Sequence, residues 1–469
     1  MGVSQSLRAG RLRRLFLAVL LLMIGASSSP VRGELLPVKT YTTADGLLRD
    51  EVYRIKQDSR GFLWFCTGDG LSRFDGYGFT NYTTDDGLPH RLVTDFLETR
   101  SGVYWVATSD GLARFNPRGK RGPFDASAKP QVASGNDAQS MFAVFRPEDK
   151  KGAASIVVLL EDARGVLWCG TDDGLYWFEE RDGQGIFHPV DFPKERPDVA
   201  SGVSAIIQDR RGNIWIGMDY DQGLNRILPD GRKEHYVTRR PGGQRKNESI
   251  KSLLETTNGQ IWVGLSLDGG LCSLTAELVE PASEGSIFSH CSGRKEGLAA
   301  NWIQSLFQTT DGKLWVGTVS GITVFNPNST NPSSSLINYK EAQGLCDTGG
   351  YAVLEDRDRN IWVATTCGVK RITNSGFVRY TQADGLASLG VNGIFTSHTG
   401  ELFVVSKQSI ETPDQKPLDV HWLNRFDRNR FTAVEPSLPP GINTGWGGGQ
   451  IIVQDKTGDW WLPSANNAV

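Results

Sequence analysis

Short apolar runs of four to six residues, each closed off by Gly, Asp or Asn, recur in pairs along this chain. The clearest pair lies in Glu161–Phe178, EDARGVLWCGTDDGLYWF. Asp162 to Gly165 carries turn chemistry, with the glycine free to take a positive φ. Val166 to Thr171 is too short for a helix and rich in strand formers. Asp172-Asp173-Gly174 turns the chain again, and Leu175 to Phe178 returns antiparallel. Both strands are apolar on both faces, so the hairpin cannot shield itself from water and each face requires another sheet.

Copies follow one another along the whole chain: Asp58–Phe74, Glu98–Phe115, Gln208–Ile227 (with two extra residues in its second turn), Glu255–Leu274, Gln308–Phe325 and Glu355–Ile372. An eighth, HTGELFVVS at 398–406, has Phe403 in place of Trp, and a ninth starts at Gln454. The anchor aromatics are Trp64, Trp105, Trp168, Trp215, Trp262, Trp315, Trp362, Phe403 and Trp461, spaced 41 to 63 residues apart. A period of about 40–50 residues holding four strands is that of a propeller blade. Blades stacked around an axis cover both faces of every sheet and leave short edges. The Trp and Gly residues are therefore read as blade-packing residues.

A second phrase runs between the hairpins: an aromatic-ended strand, a turn, then Gly-Leu and another apolar strand. It reads VKTYTTADGL (38–47), FTNYTTDDGL (79–88), INYKEAQGL (337–345) and FVRYTQADGL (377–386), with a worn form at 295–307. The strand before Asp-Gly-Leu is a blade's outermost; the run after it, Val52 to Gln57 or Val93 to Leu97, is the next blade's innermost. Val38 to Tyr41 then has no blade of its own, and its use is to complete the last blade and close the ring. Seven Trp hairpins between Trp64 and Trp362 match a common blade number; a single ring of eight or nine is the competing arrangement. The expected fold is all-β: a β-propeller of seven four-stranded blades closed by the N-terminal strand, followed by the first blades of a second propeller. The expected boundaries are 34–375 for the first ring and 376–469 for the start of a second, truncated one, the chain being the front of something longer. Pro117 to Ser155 is expected as a long interblade loop with one stray strand, and Pro436 to Gly449 as a Pro/Gly loop; both are candidate binding loops.

Residues 1–33 read as a signal peptide: Arg8, Arg11, Arg13 and Arg14, then Leu15 to Ile24 apolar, then small residues up to Gly33. That run is shorter than the ~20 residues a spanning helix needs. With a formal charge of −3 and scattered Lys and Arg, nothing points to nucleic acid. Among six cysteines, Cys272 with Cys291 and Cys346 with Cys367 are the nearer pairs, but spacing leaves connectivity open. Cys66 and Cys169, inside the Trp strands, read as small buried apolar residues.

Catalytic and metal-binding signatures are missing. His90, His188, His235, His290, His398 and His421 never fall at metal-ligand spacing, and no HExxH, CxxC, P-loop or G-x-S-x-G elbow occurs. The GDG at 68–70 and SDG at 109–111 recur at one repeat position and read as turns; Asp219-Tyr220-Asp221 lacks the rest of a calcium loop. The expectation is no catalytic residue, no metal and no cofactor, with the ligand-binding residues left unspecified.

The compound phrase GxLWxGTxxGLxRF followed by YxxxDGL, carried most faithfully by Gly61–Phe74, Gly165–Phe178 and Gly312–Phe325, resembles the two-component regulator propeller repeats over about residues 36–469. The chain departs from the pattern at Phe403 and at Ser464-Ala-Asn-Asn467. The resemblance implies the periplasmic sensing region of a two-component sensor. It also implies a second propeller, a sandwich domain, a membrane helix and a cytoplasmic histidine kinase downstream, a homodimer in the full-length sensor, and carbohydrate fragments as ligands in some members. The competing class is a secreted propeller enzyme, a lyase or hydrolase acting on a polysaccharide.

Overall fold

The computed structural model describes residues between Val38 and Trp461, apart from 123–139, 148–153, 196–198, 200, 239–247, 275–286, 330–335, 347–348, 374–379, 412–416, 428–429, 435–452, 456 and 458. The expected signal peptide, the 436–449 loop and the 464–467 departure lie outside the described residues.

Among the described residues the strands form eight four-stranded antiparallel sheets and one two-stranded sheet. Seven of the eight are plain meanders in chain order; the first six, with innermost strands Val52–Gln57, Val93–Glu98, Ile156–Glu161, Val203–Gln208, Ile250–Glu255 and Ile303–Gln308, are blades 1 to 6. Blade 7 begins with Ala352–Glu355, continues through Ile361–Thr365 and Gly368–Ile372, and takes its fourth strand from Val38–Tyr41. The register is Val38 opposite Ile372 through Tyr41 opposite Val369. Each innermost strand touches that of the next blade, and Ala352–Glu355 touches Val52–Gln57, so seven blades close on themselves.

Seven hydrophobic clusters fill the seven interblade gaps, and each contains the Trp of one blade facing the next. Trp64 stacks on Phe96 of blade 2 with ring centroids 4.5 Å apart. Trp362 lies against Phe65 and Phe74 of blade 1 and stacks on Tyr41 of the closing strand. The residue two after each Trp must be small: a Cβ on Gly264 would meet Ile303 Cγ2 of the next blade at 2.7 Å. Cys66 holds that same position in blade 1. Both Cys66 and Cys169 are buried, and burial raises their thiol pKa values, so they are core residues.

In four blades the Trp also serves as a donor. The turn after the innermost strand opens with an Asp, buried in three blades and half-buried in blade 7, whose carboxylate accepts Trp Nε1–H: Trp64 to Asp58 at 2.9 Å, Trp168 to Asp162 at 3.2 Å, Trp215 to Asp209 at 2.8 Å and Trp362 to Asp356 at 2.6 Å. The same Asp58 accepts the Arg60 and Phe62 amides, so one side chain holds both the turn and the ring. The residue after that Asp (or Thr) donates its backbone N–H to the Glu or Gln ending the next blade's innermost strand. These bonds run Ser59 to Glu98, Arg100 to Glu161, Ala163 to Gln208, Arg210 to Glu255, Thr257 to Gln308 and Thr310 to Glu355, all at 2.5–2.9 Å.

One expectation is corrected. Phe142–Phe145 is not a stray strand in an interblade loop: it is the fourth strand of blade 2, pairing Leu112 with Phe145 and Phe115 with Phe142. The long insertion therefore sits partly inside a blade, between its third and fourth strands. Two disulfides form, Cys272–Cys291 and Cys346–Cys367.

The eighth four-stranded sheet follows the ring, from Gly390–Thr396 to Arg430–Val434, and a two-stranded sheet pairs Val453–Gln454 with Trp460–Trp461. The innermost strand of the eighth sheet repeats the pattern of blade 1, Val391 and Ile394 standing where blade 1 has Val52 and Ile55. In the ring those two are 0% and 5% exposed; here they are 45% and 66% exposed.

Candidate functional site: the connection face of the ring

In a four-stranded meander the second turn and the connection to the next blade lie at one end, so the seven of each gather on one face of the ring, the connection face. An Asp-Gly-Leu phrase, or its Glu-Gly-Leu and Gln-Gly-Leu variants, builds four of the seven connections, those ending at Leu47, Leu88, Leu298 and Leu345. Thr42 Oγ1 accepts the Ala44 N–H, Asp45 Oδ2 accepts the Thr42 N–H at 2.9 Å, and one 3₁₀ turn results. Gly46, at φ +98°, ends it in the left-handed region that a side chain resists. Leu47 then drops into the blade 7–blade 1 core at 2% exposure. Thr83-Asp86-Gly87-Leu88 repeats this construction at the next junction. With Leu47 as plug, the following residues are delivered to the rim of the central channel.

There Thr43, Leu48, Arg49, Asp50, Glu51, Asp69 and Thr366 line a cleft of about 520 Å³ between blades 7 and 1. Arg49 bridges Asp69 at 3.2 Å and Glu51 at 3.6 Å, and Arg91 reaches the other Asp69 oxygen at 3.4 Å. Asp50 ties the cleft floor to both sides: its carboxylate accepts the Thr43 N–H at 2.7 Å, and its carbonyl accepts the Gly368 N–H at 2.9 Å.

Six innermost strands carry a bulge at one position, next to this face. The bulged residues are Tyr53, Thr94, Val157, Ser204, Lys251 and Gln304, and Tyr351 holds the position in blade 7. A bulge re-aims a side chain, and this ring of seven surrounds the channel mouth. Tyr53 and Tyr351 meet edge to face at 6.1 Å beside the cleft. Burial, and after it the Glu51 carboxylate, raises both phenol pKa values, so both remain neutral donors.

On the opposite arc, Asp219 Oδ1 accepts Lys251 Nζ at 2.6 Å and Ser204 Oγ at 2.9 Å. The two extra residues of the blade 4 turn push Tyr220 outward at 56% exposure, with Tyr220 and Asp221 at φ +54° and +61°. Asp221 accepts the Glu248 N–H at 2.7 Å, which pins the turn. The motif read as an incomplete calcium loop is thus an aromatic tip on a braced turn. GDG and SDG are second turns whose acids meet arginine: Asp69 with Arg49, Asp110 with Arg146 at 2.8 Å.

The histidines are dispersed. His90 Nδ1 accepts the Leu92 N–H, His188 stacks on Trp177 at 3.6 Å, His235 bridges Asn225 and Glu195, and His290 bonds Ser292. Among the described residues no group of three His, Cys, Asp or Glu is placed to hold a metal ion, and no helix is long and apolar enough to cross a membrane. What the face offers is arginines, carboxylates, neutral phenols and the Lys251–Asp219 pair around an open mouth.

The family model for two-component regulator propellers matches residues 199–220 and 297–320. These two segments are two-component regulator propeller repeats. Both matched segments run from the connection into a blade, through its innermost strand, to the Trp strand. Each matched segment thus spans a blade junction, the first containing the Asp209–Trp215 bond and the second the buried Leu298. A histidine kinase of Formosa agariphila is 32% identical over 74 residues, 15% of this chain and 5% of the kinase. The extracellular domain of the hybrid two-component system BT3049 from B. thetaiotaomicron aligns with TM-score 0.62 and 19% identity, covering 92% of this chain and 52% of that domain. That of the one-component system BT4673 from the same organism gives 0.53 and 18%, covering 92% and 58%. PorZ, a surface component of the type-IX secretion system of Porphyromonas gingivalis, gives 0.52 and 15%, covering 82% and 59%. These likenesses establish a shared fold, and the chain spans about half the length of the extracellular domains it matches.

Proposed function

We propose that this chain is the ligand-sensing region of an exported two-component sensor, and that the connection face receives the ligand. The observation that carries the reading is the cleft between blades 7 and 1, where Arg49, Glu51, Asp69 and the Tyr53–Tyr351 pair converge beside the channel mouth. Carboxylates and guanidinium groups that bond hydroxyls in two directions, next to aromatic faces, suit a hydroxyl-rich ligand such as a carbohydrate fragment. The kinase relationship and the fold shared with extracellular domains support the sensor role. In this reading the sheet that starts at Gly390 is the first blade of a second propeller, whose neighbour covers Val391 and Ile394. The relay then passes through a downstream membrane helix to a kinase that works as a homodimer.

The test is calorimetric titration of the chain with a panel of oligosaccharides, repeated with Arg49→Ala and Asp69→Asn. Binding that both variants weaken about tenfold or more supports the cleft. A ligand bound equally well by all three proteins places recognition elsewhere, and no binding across the panel rejects the carbohydrate class.

A further inference from the structure

The second turn of blade 7 repeats that of blade 1. Thr67 Oγ1 donates to Gly70 O and accepts the Asp69 N–H; Thr365 Oγ1 donates to Gly368 O and accepts the Cys367 N–H. Cys367 therefore stands where blade 1 has Asp69, and where blade 2 has Asp110. In blades 1 and 2 that acid is held by an ion pair, to Arg49 and to Arg146. In blade 7 a disulfide to Cys346, on the connection from blade 6, stands beside the turn instead. Thr366, the residue before Cys367, lines the cleft, and Gly368 bonds Asp50 on its floor.

The six cysteines differ sharply in access. Cys66 and Cys169 are buried in the core. Cys272 is fully buried, and Cys272–Cys291 joins directly opposed residues of two strands whose neighbours are already paired, Leu271 with Ser292 and Ser273 with His290. Cys367 is exposed and Cys346 half-buried, and they join two loops.

We propose that Cys346–Cys367 is a thiol-exchangeable clamp on the cleft, opened by a dithiol and closed again by exchange with a disulfide, which is reduced to its dithiol, while Cys272–Cys291 is a permanent cross-link. A thiolate of the dithiol attacks the exposed Cys367 sulfur; the S–S bond breaks and Cys346 leaves as a thiolate, which takes a proton from water. The second thiolate of the dithiol attacks the mixed disulfide and expels Cys367. Two electrons pass from dithiol to protein, giving two cysteine thiols and one cyclic disulfide. The opened turn keeps its internal bonds but loses its covalent anchor to the blade 6 connection, so the Gly368 bond to Asp50 opens more often. The Thr366 wall of the cleft then loses that restraint.

The experiment is graded reduction of the whole chain with dithiothreitol, alkylation and peptide mass analysis, with amide hydrogen exchange on the same samples. The expected result is that Cys346 and Cys367 alkylate at about tenfold less reductant, or more dilute still, than Cys272 and Cys291. In that partly reduced form the Gly368 and Gly349 amides should exchange about tenfold faster, those of blades 2 to 4 being unchanged. The C346S/C367S variant should show the same faster exchange without reductant. Simultaneous reduction of both disulfides overturns the proposal, as does exchange at Gly368 and Gly349 that neither reduction nor the variant alters. None of these readouts needs a ligand, so the clamp and the sensing role fail separately.

Discussion

The backbone N–H of Arg357 donates to the side-chain oxygen of Gln57 at 3.1 Å, across 300 residues of sequence. It is the seventh bond of the series that links each Asp or Thr turn to the end of the next blade's innermost strand, and it joins blade 7 to blade 1. The Arg357 guanidinium adds Nη2 contacts to the carbonyls of Asp58 and Ser59, at 3.2 and 2.7 Å. Arg100 and Arg210 make the matching contacts at two other junctions. A belt of hydrogen bonds thus runs round the face opposite the cleft.

Replacing Gln57 by Leu leaves the Arg357 amide without its acceptor at the closing junction. The expected loss is about 1–2 kcal/mol in urea unfolding. The same replacement at Gln208 should cost a similar amount, since the junction there is built alike. A loss confined to Gln57 would show that the closing junction is special.

Asp162 gives the ring a defined acid sensitivity. Burial pushes its carboxyl up, but the Val166 N–H, Trp168 Nε1–H and the Arg164 side chain and amide outweigh it and hold the carboxyl below the ordinary range. Its folded pKa is thus lower than the unfolded value near 3.9. The stabilisation is complete above the unfolded value, declines as pH falls through the folded one and is gone once both states are protonated. Asp162→Asn should therefore be less stable than wild type at pH 7, with the difference closing at the acid end of a denaturation series.

Lys370 works in the other direction. It is 8% exposed, donates Nζ to Thr40 Oγ1 of the closing strand at 2.9 Å, and burial lowers its pKa. Below the folded value both states carry the charge and its burial counts fully against folding. The penalty shrinks as pH rises toward the unfolded value near 10.4, and is absent above it. Lys370→Met should raise stability at pH 7 by roughly 1 kcal/mol, and the gain should fade in alkaline solution. A destabilised variant at pH 7 would mean that the Thr40 bond outweighs the buried charge.

Trp262 is the anchor whose buried Nε1–H finds no acceptor among the described residues; its turn opens with Thr256, whose hydroxyl is engaged with Asn258 and the Gln260 carbonyl. Thr256→Asp restores the pairing seen at Asp58, Asp162, Asp209 and Asp356. The expected gain is about 1 kcal/mol in thermal or urea unfolding.

Most of the ring could be read before its coordinates, because the forces that shape it are local and repeated. Each Trp, each small residue two places later and each Asp-Gly-Leu phrase answers to one packing need, met again at blade after blade. The orphan strand Val38–Tyr41 was legible from the same logic, since an unfinished sheet needs a partner. Three features were not. The Glu or Gln closing each innermost strand looks like an ordinary solvated residue until its partner, in another blade, is seen. Phe142–Phe145 was obscured by the insertion before it, which broke the spacing that marks a fourth strand. Tyr220 and the cleft residues depend on where bulges and turns aim side chains around a circle, and that information is shared among blades far apart in sequence. A chemistry-bearing motif is legible in sequence when it is compact, whereas this face is composed one residue per blade.

The belt also bears on where the chain can begin. Every blade hands its successor the same bond in the same sense, and Arg357 hands it to Gln57 as the others do. Energetically the circle has no first member, and the point where the polypeptide is cut matters less than that seven members are present. Rejoining Ile372 to Val38 through a short linker and opening the chain between two other blades should therefore yield a circular permutant that folds to the same wheel.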